Sequence, residues 1–228
     1  YPDKADKFPY FRDVLNEDET WIYKALKQLP ARISRNELFQ RLPQYQTELE
    51  TIFKSHVEPQ DHYQVRNVCL FGWSECSRGE LCVDFLKSGE IEKFGELMFT
   101  SHDGDRVVSY NSKGKKTPWI YEVTDEMLDN LISMSVQGTP SSRLYRQPGA
   151  YACSCEELDY LVDTARRVPG VLGAGLTGAG LGGCVLVLVE ENKADLLIET
   201  LKQNYYDKRG LPLGCEICHS VDGASFLT

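Results

Sequence analysis

Val171-Leu172-Gly173-Ala174-Gly175-Leu176-Thr177-Gly178-Ala179-Gly180-Leu181-Gly182-Gly183 runs directly into Cys184-Val185-Leu186-Val187-Leu188-Val189. Six glycines fall within the eleven residues from Gly173 to Gly183. Fixing so much glycine backbone is entropically unfavourable, so the segment is expected to answer to a close approach, by a ligand or by another stretch of backbone. Bare N–H groups in such a loop can form a nest for anionic oxygens. A tight turn between two packed strands accounts for the same composition. Cys184 to Val189 is a continuous β-type run. The downstream stretch Asn192 to Tyr205 is an amphipathic helix carrying Ala194, Leu197, Ile198 and Leu201, which Gly210 stops. Cys215 to Val221 and Ala224 to Leu227 read as short closing strands. The order of strand, glycine loop, strand, helix and strand predicts an α+β layer in which helices cover one face of an antiparallel sheet.

Gly173, Gly175 and Gly178 match the spacing G-x-G-x-x-G. The dinucleotide-binding use of that spacing needs a helix opening at the glycines. Here they lead into a strand, so a Rossmann reading fails. No Lys-Ser or Lys-Thr follows them, so a Walker loop fails as well.

Upstream the chain reads as largely helical. Helices are predicted over Glu19–Leu29, closed by Pro30, and over Glu37–Leu42, opened by the capping box Ser34-Arg35-Asn36-Glu37. Others follow over Gln46–His56, over Val65–Lys87 with Gly72 and Gly79 interrupting the pattern, and over Glu90–Thr100. Residues 103–148 change texture. They are rich in Gly, Ser, Lys and Thr with turn signals at Asn111-Ser112-Lys113-Gly114 and Thr139-Pro140-Ser141-Ser142, and they read as an excursion on the surface broken by one helix, about Asp125–Ser135. Ser154-Cys155-Glu156-Glu157 has the form of a second capping box, with Leu158, Leu161, Val162 and Ala165 on the helix after it.

The 228 residues suffice for a domain with a real core. The net charge of −9 gives no overall attraction to a phosphate backbone, and no basic run offsets it, so nucleic-acid binding is not expected. No apolar run is long enough to span a bilayer. The chain opens Tyr1-Pro2-Asp3-Lys4 with neither a start methionine nor a secretory pattern, as expected of an excised piece of a longer chain. Several of the eight cysteines sit in apolar runs, Cys69 and Cys184 among them, and read as reduced packing residues of a cytoplasmic protein.

Leu176-Thr177-Gly178-Ala179-Gly180-Leu181-Gly182-Gly183-Cys184 resembles the third signature motif of the GHMP kinases, the family of galactokinases, homoserine kinases, mevalonate kinases and phosphomevalonate kinases. The flanks resemble the galactokinase branch. Gly170-Val171-Leu172-Gly173-Ala174 leads into the motif. Phe85–Glu90 and Phe94–Met98 precede a Ser101-His102 pair, and Tyr151 precedes Cys153-Ser154-Cys155-Glu156-Glu157-Leu158-Asp159. The likeness covers about Val65 to Phe226. It departs from the family in the distance between the Ser-His pair and the Glu-Leu-Asp triplet, which the excursion 103–148 lengthens, and this leaves an arabinose kinase or another sugar-1-kinase open.

The resemblance implies one GHMP-type C-terminal domain over 1–228: an antiparallel ferredoxin-like sheet covered by helices, with a largely helical part over 1–165 and an α/β part over 166–228. It implies ATP-dependent phosphorylation of a sugar, most directly galactose, with Thr177, Gly178, Ala179, Gly180, Gly182 and Gly183 lining the nucleotide or sugar cleft and His102 beside them. The family's phosphate loop, catalytic Asp and sugar signature have no counterpart in these residues. No catalytic or metal-binding residue is therefore expected here, and ATP and Mg²⁺ are expected mainly on an N-terminal partner domain absent from this sequence. A non-catalytic sugar or nucleotide sensor is the second reading, since fold does not fix function. A self-standing binding module, with the glycines only a turn, is the third.

Two other patterns compete weakly. Cys215-Glu216-Ile217-Cys218-His219 has the C-x-x-C-H form of haem attachment, but it lacks a secretory signal and lies in an expected terminal strand that points its cysteines to opposite faces. Zinc would need Cys153, Cys155, Cys215 and Cys218 to converge from distant segments.

Overall fold

The structure is a computed structural model that describes residues 10–178, 180 and 182–219. A short 3₁₀ turn over Phe11–Asn16 leads to α1 (Glu19–Gln28), opened by the Asp18 carboxylate, which accepts from the Trp21 N–H. Next come α2 (Arg35–Arg41) and α3 (Gln46–Phe53). The Ser34–Glu37 capping box forms as the sequence predicts, each side chain bonding the other's backbone N–H. α4 (Val65–Ser88) is continuous through both of its glycines and ends at Gly89 in the left-handed region, φ 72°. Gly72 has a packing reason: a Cβ there would lie 2.8 Å from the Phe11 ring, which stacks on Trp73 at 5.0 Å.

α5 (Ile91–Asp105) follows, then the hairpin β1 (Val108–Tyr110) and β2 (Lys116–Pro118), α6 (Asp125–Val136) and α7 (Glu156–Ala165). β3 (Val171–Thr177) pairs antiparallel with β4 (Cys184–Val189), Thr177 opposite Cys184 and Val171 opposite Val189. α8 (Ala194–Leu201) continues through a π turn over Lys202–Tyr206 to Asp207–Arg209 and stops at Gly210, φ 63°.

Two apolar cores result. The first gathers Ile22, Tyr23 and Leu26 of α1, Leu70 and Trp73 of α4, and Val123, Leu128, Leu131 and Leu144. The second gathers Val162 and Ala165 of α7, Ala174 of β3, and Leu197 and Leu201 of α8, flanked by Val185, Val187 and Val189. Alternation along the strands explains the second core. Ala174 and the three valines share one face of the pair, toward α7 and α8, while Gly173 and Gly175 turn to α5.

The chain is an α+β domain, as read from the sequence. Several local expectations need correction. Residues 103–148 do not merely cross the surface: Val108, Val123, Leu128 and Leu144 are buried. The apolar stripe of α1 requires a partner and α6 supplies it. The stretch Ser154 to Glu157 forms no capping box; Cys155 is the N-cap of α7 without a side-chain cap, and the Ser154 hydroxyl is committed elsewhere. Residues 215–219 form no strand, because Ile217 is 57% exposed and only Cys215 turns inward, so the stretch has no face to bury. The other residues of the two expected closing strands, 220–221 and Ala224–Leu227, lie outside the described residues, among which this sheet is a single antiparallel pair.

Candidate functional site

The glycine segment divides into two parts with different physical roles. Gly173 and Gly175 belong to β3 and let α5 approach its backbone. A Cβ on Gly173 would stand 2.6 Å from the Gly95 Cα, and one on Gly95 would stand 2.1 Å from the Leu172 carbonyl oxygen. No side chain fits in either place. The turn joining β3 to β4 is the second part. Gly178, Gly180, Gly182 and Gly183 have φ values of 97°, 82°, 121° and 110°. At Gly182 a Cβ would meet nothing within 4 Å, so glycine is required there by backbone conformation and not by crowding. Thr177, Gly178 and Gly183 are exposed and Gly180 and Gly182 half-buried; Ala179 lies outside the described residues.

The turn is braced from beneath. Gly180 sits on Cys153, whose carbonyl oxygen would be 2.3 Å from a Cβ at that position. Cys153 Sγ donates to Asp105 Oδ1 at 3.0 Å. Burial, then the Asp105 hydrogen bond, pushes the Cys153 thiol up to about 12, so it packs as a thiol and does not act as a nucleophile. Burial also pushes the Asp105 carboxyl above its usual range, against the hydrogen bond from Cys153. The segment before Cys153 is strained: Ala152 has φ 57°, and its N–H and that of Tyr151 both point to the Gly104 carbonyl. The half-exposed Tyr151 ring stacks on Phe71 at 5.4 Å.

His102 does not line an open cleft, contrary to the expectation from sequence. Its side chain is wholly buried. Its Nδ1 accepts from the Leu176 N–H at 3.3 Å, so this contact assigns the ring proton to Nε2, which faces Asp159 Oδ1 at 3.2 Å in an oblique approach. Asp159 is the hub of the cluster. Its Oδ1 also accepts from Ser154 Oγ at 2.7 Å, and its Oδ2 accepts from the N–H groups of Val107 and Val108 at 3.0 and 2.8 Å. Burial pushes this carboxyl up, but His102, Ser154, Val108 and Val107 together outweigh burial and hold it below the usual carboxylate range. One turn further along α7, Asp163 accepts from the Tyr110 N–H at 2.6 Å and pairs with Arg106 at 2.9 Å. α7 thus clamps the β1–β2 hairpin through two carboxylates and, through His102, fixes the end of β3 where the glycine turn begins.

The segment brings Thr177 and the described glycines together and places His102 under them. Asp159, Ser154 and Asp105 are participants that the sequence reading missed. One signal existed for Asp159: it lies beside Leu158 and Val162 on the apolar stripe of α7, where an unpaired carboxylate would be prohibitive. Among the described residues no group of three or more His, Cys, Asp or Glu is placed to hold a metal ion. Cys153 is committed to Asp105, while Cys215 packs by the second core.

Residues 136–207 match the family of GHMP kinases C terminal. The chain is 30% identical over 151 residues to a galactokinase of Fusobacterium nucleatum, an overlap covering 66% of this chain and 28% of that protein. It is 32% identical over 163 residues to a galactokinase of Clostridium perfringens, covering 72% and 30% respectively. Against a galactokinase of Enterococcus faecalis the identity is 54% over 54 residues, 24% of this chain and 14% of that one. The chain thus spans less than a third of the length of these relatives. It carries the C-terminal domain of the GHMP kinases, with its sequence similarity running to the galactokinase branch.

Proposed function

We propose that this domain completes the active cleft of an ATP-dependent sugar kinase, with galactose as acceptor and galactose 1-phosphate as product, working in the cytoplasm against an N-terminal domain of the same protein. The observation that carries the reading is the glycine turn at the end of β3, in which Thr177, Gly178 and Gly183 are exposed, held on a buried His–Asp–Ser support. Phosphoryl transfer asks a protein mainly to position reactants and to stabilise charge around the phosphates. A glycine-rich turn leaves backbone N–H groups open to phosphate or sugar oxygens, and the Thr177 hydroxyl stands beside them. The buried support removes freedom that the turn would otherwise lose on binding.

Magnesium supplies charge neutralisation in such transfers, but the described residues of this chain do not fit a magnesium site. In this reading the ion, the nucleotide triphosphate and the base belong mainly to the N-terminal domain. The galactose assignment leans on the named relatives, which are galactokinases; arabinose remains the comparison substrate.

The test is Gly182→Val in the full-length protein. Space is open at that position, so the core is untouched, while the backbone angle and any close ligand approach are not. Turnover of galactose should fall more than tenfold while the protein stays folded, its melting midpoint lowered only by the local backbone strain at position 182; unchanged turnover would overturn the reading. The 228-residue chain alone should consume no ATP with galactose, arabinose, glucuronate or mevalonate. Sugar-dependent turnover by it would show that the catalytic groups are here after all.

A further inference from the structure

We propose that the cleft between α7, α8 and the β1–β2 turn binds a small organic phosphate with a polyol body. Its volume is about 350 Å³, within the range of small-molecule sites. Three cations line it: Lys113 on the hairpin turn, Arg167 just past α7 and Lys208 in the Asp207–Arg209 turn that follows α8. No carboxylate is among the lining residues.

The chain holds 34 acidic residues against 25 Lys and Arg, and several cations near the cleft are already engaged; Arg209 lies over the Tyr160 and Tyr205 rings. Lys116 pairs with Glu156 at 2.9 Å, Arg166 with Asp103 at 3.2 Å and Lys202 with Asp207 at 2.7 Å. Lys113, Arg167 and Lys208 form no ion pair among the described residues. Arg167 donates only to the Tyr110 carbonyl and Lys208 Nζ only to Asn204 Oδ1, at 3.2 Å. Three uncompensated cations facing one concavity in a strongly acidic protein raise the local anion concentration, and a phosphate monoester carries the charge to match them. The rest of the lining suits a polyol. The Ser112 and Thr164 hydroxyls have no hydrogen-bond partner among the described residues, and Val168 and Leu196 offer an apolar wall to the C–H face of a sugar ring.

This site is separate from the glycine turn. The turn rests on Cys153, ahead of the N-terminus of α7, while Arg167 lies past its other end, a helix length of about 15 Å away. The inference therefore does not depend on the kinase reading.

The experiment is calorimetric titration of the 228-residue chain with galactose 1-phosphate, galactose and inorganic phosphate. The comparison proteins are the double variant Lys113→Glu/Lys208→Glu and, separately, Gly182→Val. Both lysines are exposed, so the charge reversals leave the cores alone. Galactose 1-phosphate should bind, weaken with added salt, and lose at least tenfold in affinity in the double variant, whose melting midpoint without ligand should match the parent. Gly182→Val should bind as the parent does. Absence of binding, or binding that the charge reversals leave unchanged, would overturn the site. Inorganic phosphate binding as tightly as the sugar phosphate would overturn the polyol part. Loss of binding in Gly182→Val would place the ligand at the glycine turn and overturn the proposal.

Discussion

Two buried aspartates, Asp105 and Asp159, act on stability in opposite directions. Asp159 accepts three hydrogen bonds, from the N–H groups of Val107 and Val108 and from Ser154 Oγ, faces the His102 ring at 3.2 Å, and its carboxyl is held below the usual range in spite of burial. Asp159→Ala would leave those donors buried and unpaired, and should lower unfolding stability by about 3–5 kcal/mol in a urea titration. Because its folded pKa lies below its unfolded one, this stabilisation is complete above about pH 3.9 and is lost as pH falls through the lower folded value. Asp105 is the reverse case. Burial raises its carboxyl and outweighs the hydrogen bond from the Cys153 thiol and the nearby His102 and Arg78, which oppose it. Its contribution is greatest below the ordinary carboxylate value and is lost as pH rises through the raised folded value. Asp105→Asn, which retains an acceptor for Cys153, should therefore hold or raise the urea midpoint at pH 7 and give no such advantage near pH 3. A clear loss of stability at pH 7 would show that the ionised form is wanted there.

At the level of elements, the contact between α5 and β3 shows what the sequence could and could not disclose. Glycine density at 171–183 announced a close approach, and the spacing alone left ligand and backbone as equal candidates. The structure assigns Gly173 and Gly175 to backbone approach and the four described glycines from Gly178 onward to the turn, because α5 offers a glycine of its own at Gly95. That partner lies in another segment, and no local pattern links Gly95 to Gly173. Helix positions were legible because their signals are local: Asp18, Ser34 and Thr124 all cap the helices that follow them. The apparent box at Ser154 failed because a tertiary partner, Asp159, took the hydroxyl. A pair of glycine substitutions separates the two situations. Gly95→Ala drives a Cβ to 2.1 Å from a backbone oxygen that cannot swing away, and should destabilise by about 1–3 kcal/mol or more, as overpacking does. Gly79→Ala, on the exposed side of α4 with nothing within 4 Å, should stabilise by about 0.8–1 kcal/mol through helix propensity. Equal effects in chemical denaturation would remove close approach as the reason for Gly95.

For the whole molecule, the α+β class was readable from the run of helices followed by a glycine turn and a β-type strand, but the role of residues 103–148 was not. Their polar, turn-rich composition signals surface, while the residues that matter, Val123, Leu128, Leu131 and Leu144, are spread among them and acquire meaning only against α1 and α4. The resulting distribution of apolar burial is uneven and predicts an order of opening. α2 and α3 bury no residue of their own. The arm they form is tied back by the backbone pair Ile33–Tyr63, at 3.0 and 2.9 Å, by Arg35 Nε donating to the Tyr63 hydroxyl at 2.8 Å, and by the stacking of Phe53 on Tyr63 at 5.8 Å. α1, α4 and α7, by contrast, place Leu26, Leu70 and Val162 at 0% exposure. Opening the arm exposes little apolar surface and breaks few long-range bonds, so it requires far less free energy than opening either core. Native-state hydrogen exchange should show amides of 35–53 exchanging through a local opening insensitive to low denaturant, while those of α4 and α7 exchange only by an opening with a large denaturant dependence. Tyr63→Ala, which removes both the hydroxyl acceptor and the stacked ring, should speed exchange across 35–53 at least tenfold and leave α7 unchanged. Uniform protection from α2 through α7 would mean that the arm unfolds only with the cores, and that Tyr63 couples it to them more tightly than its contacts account for.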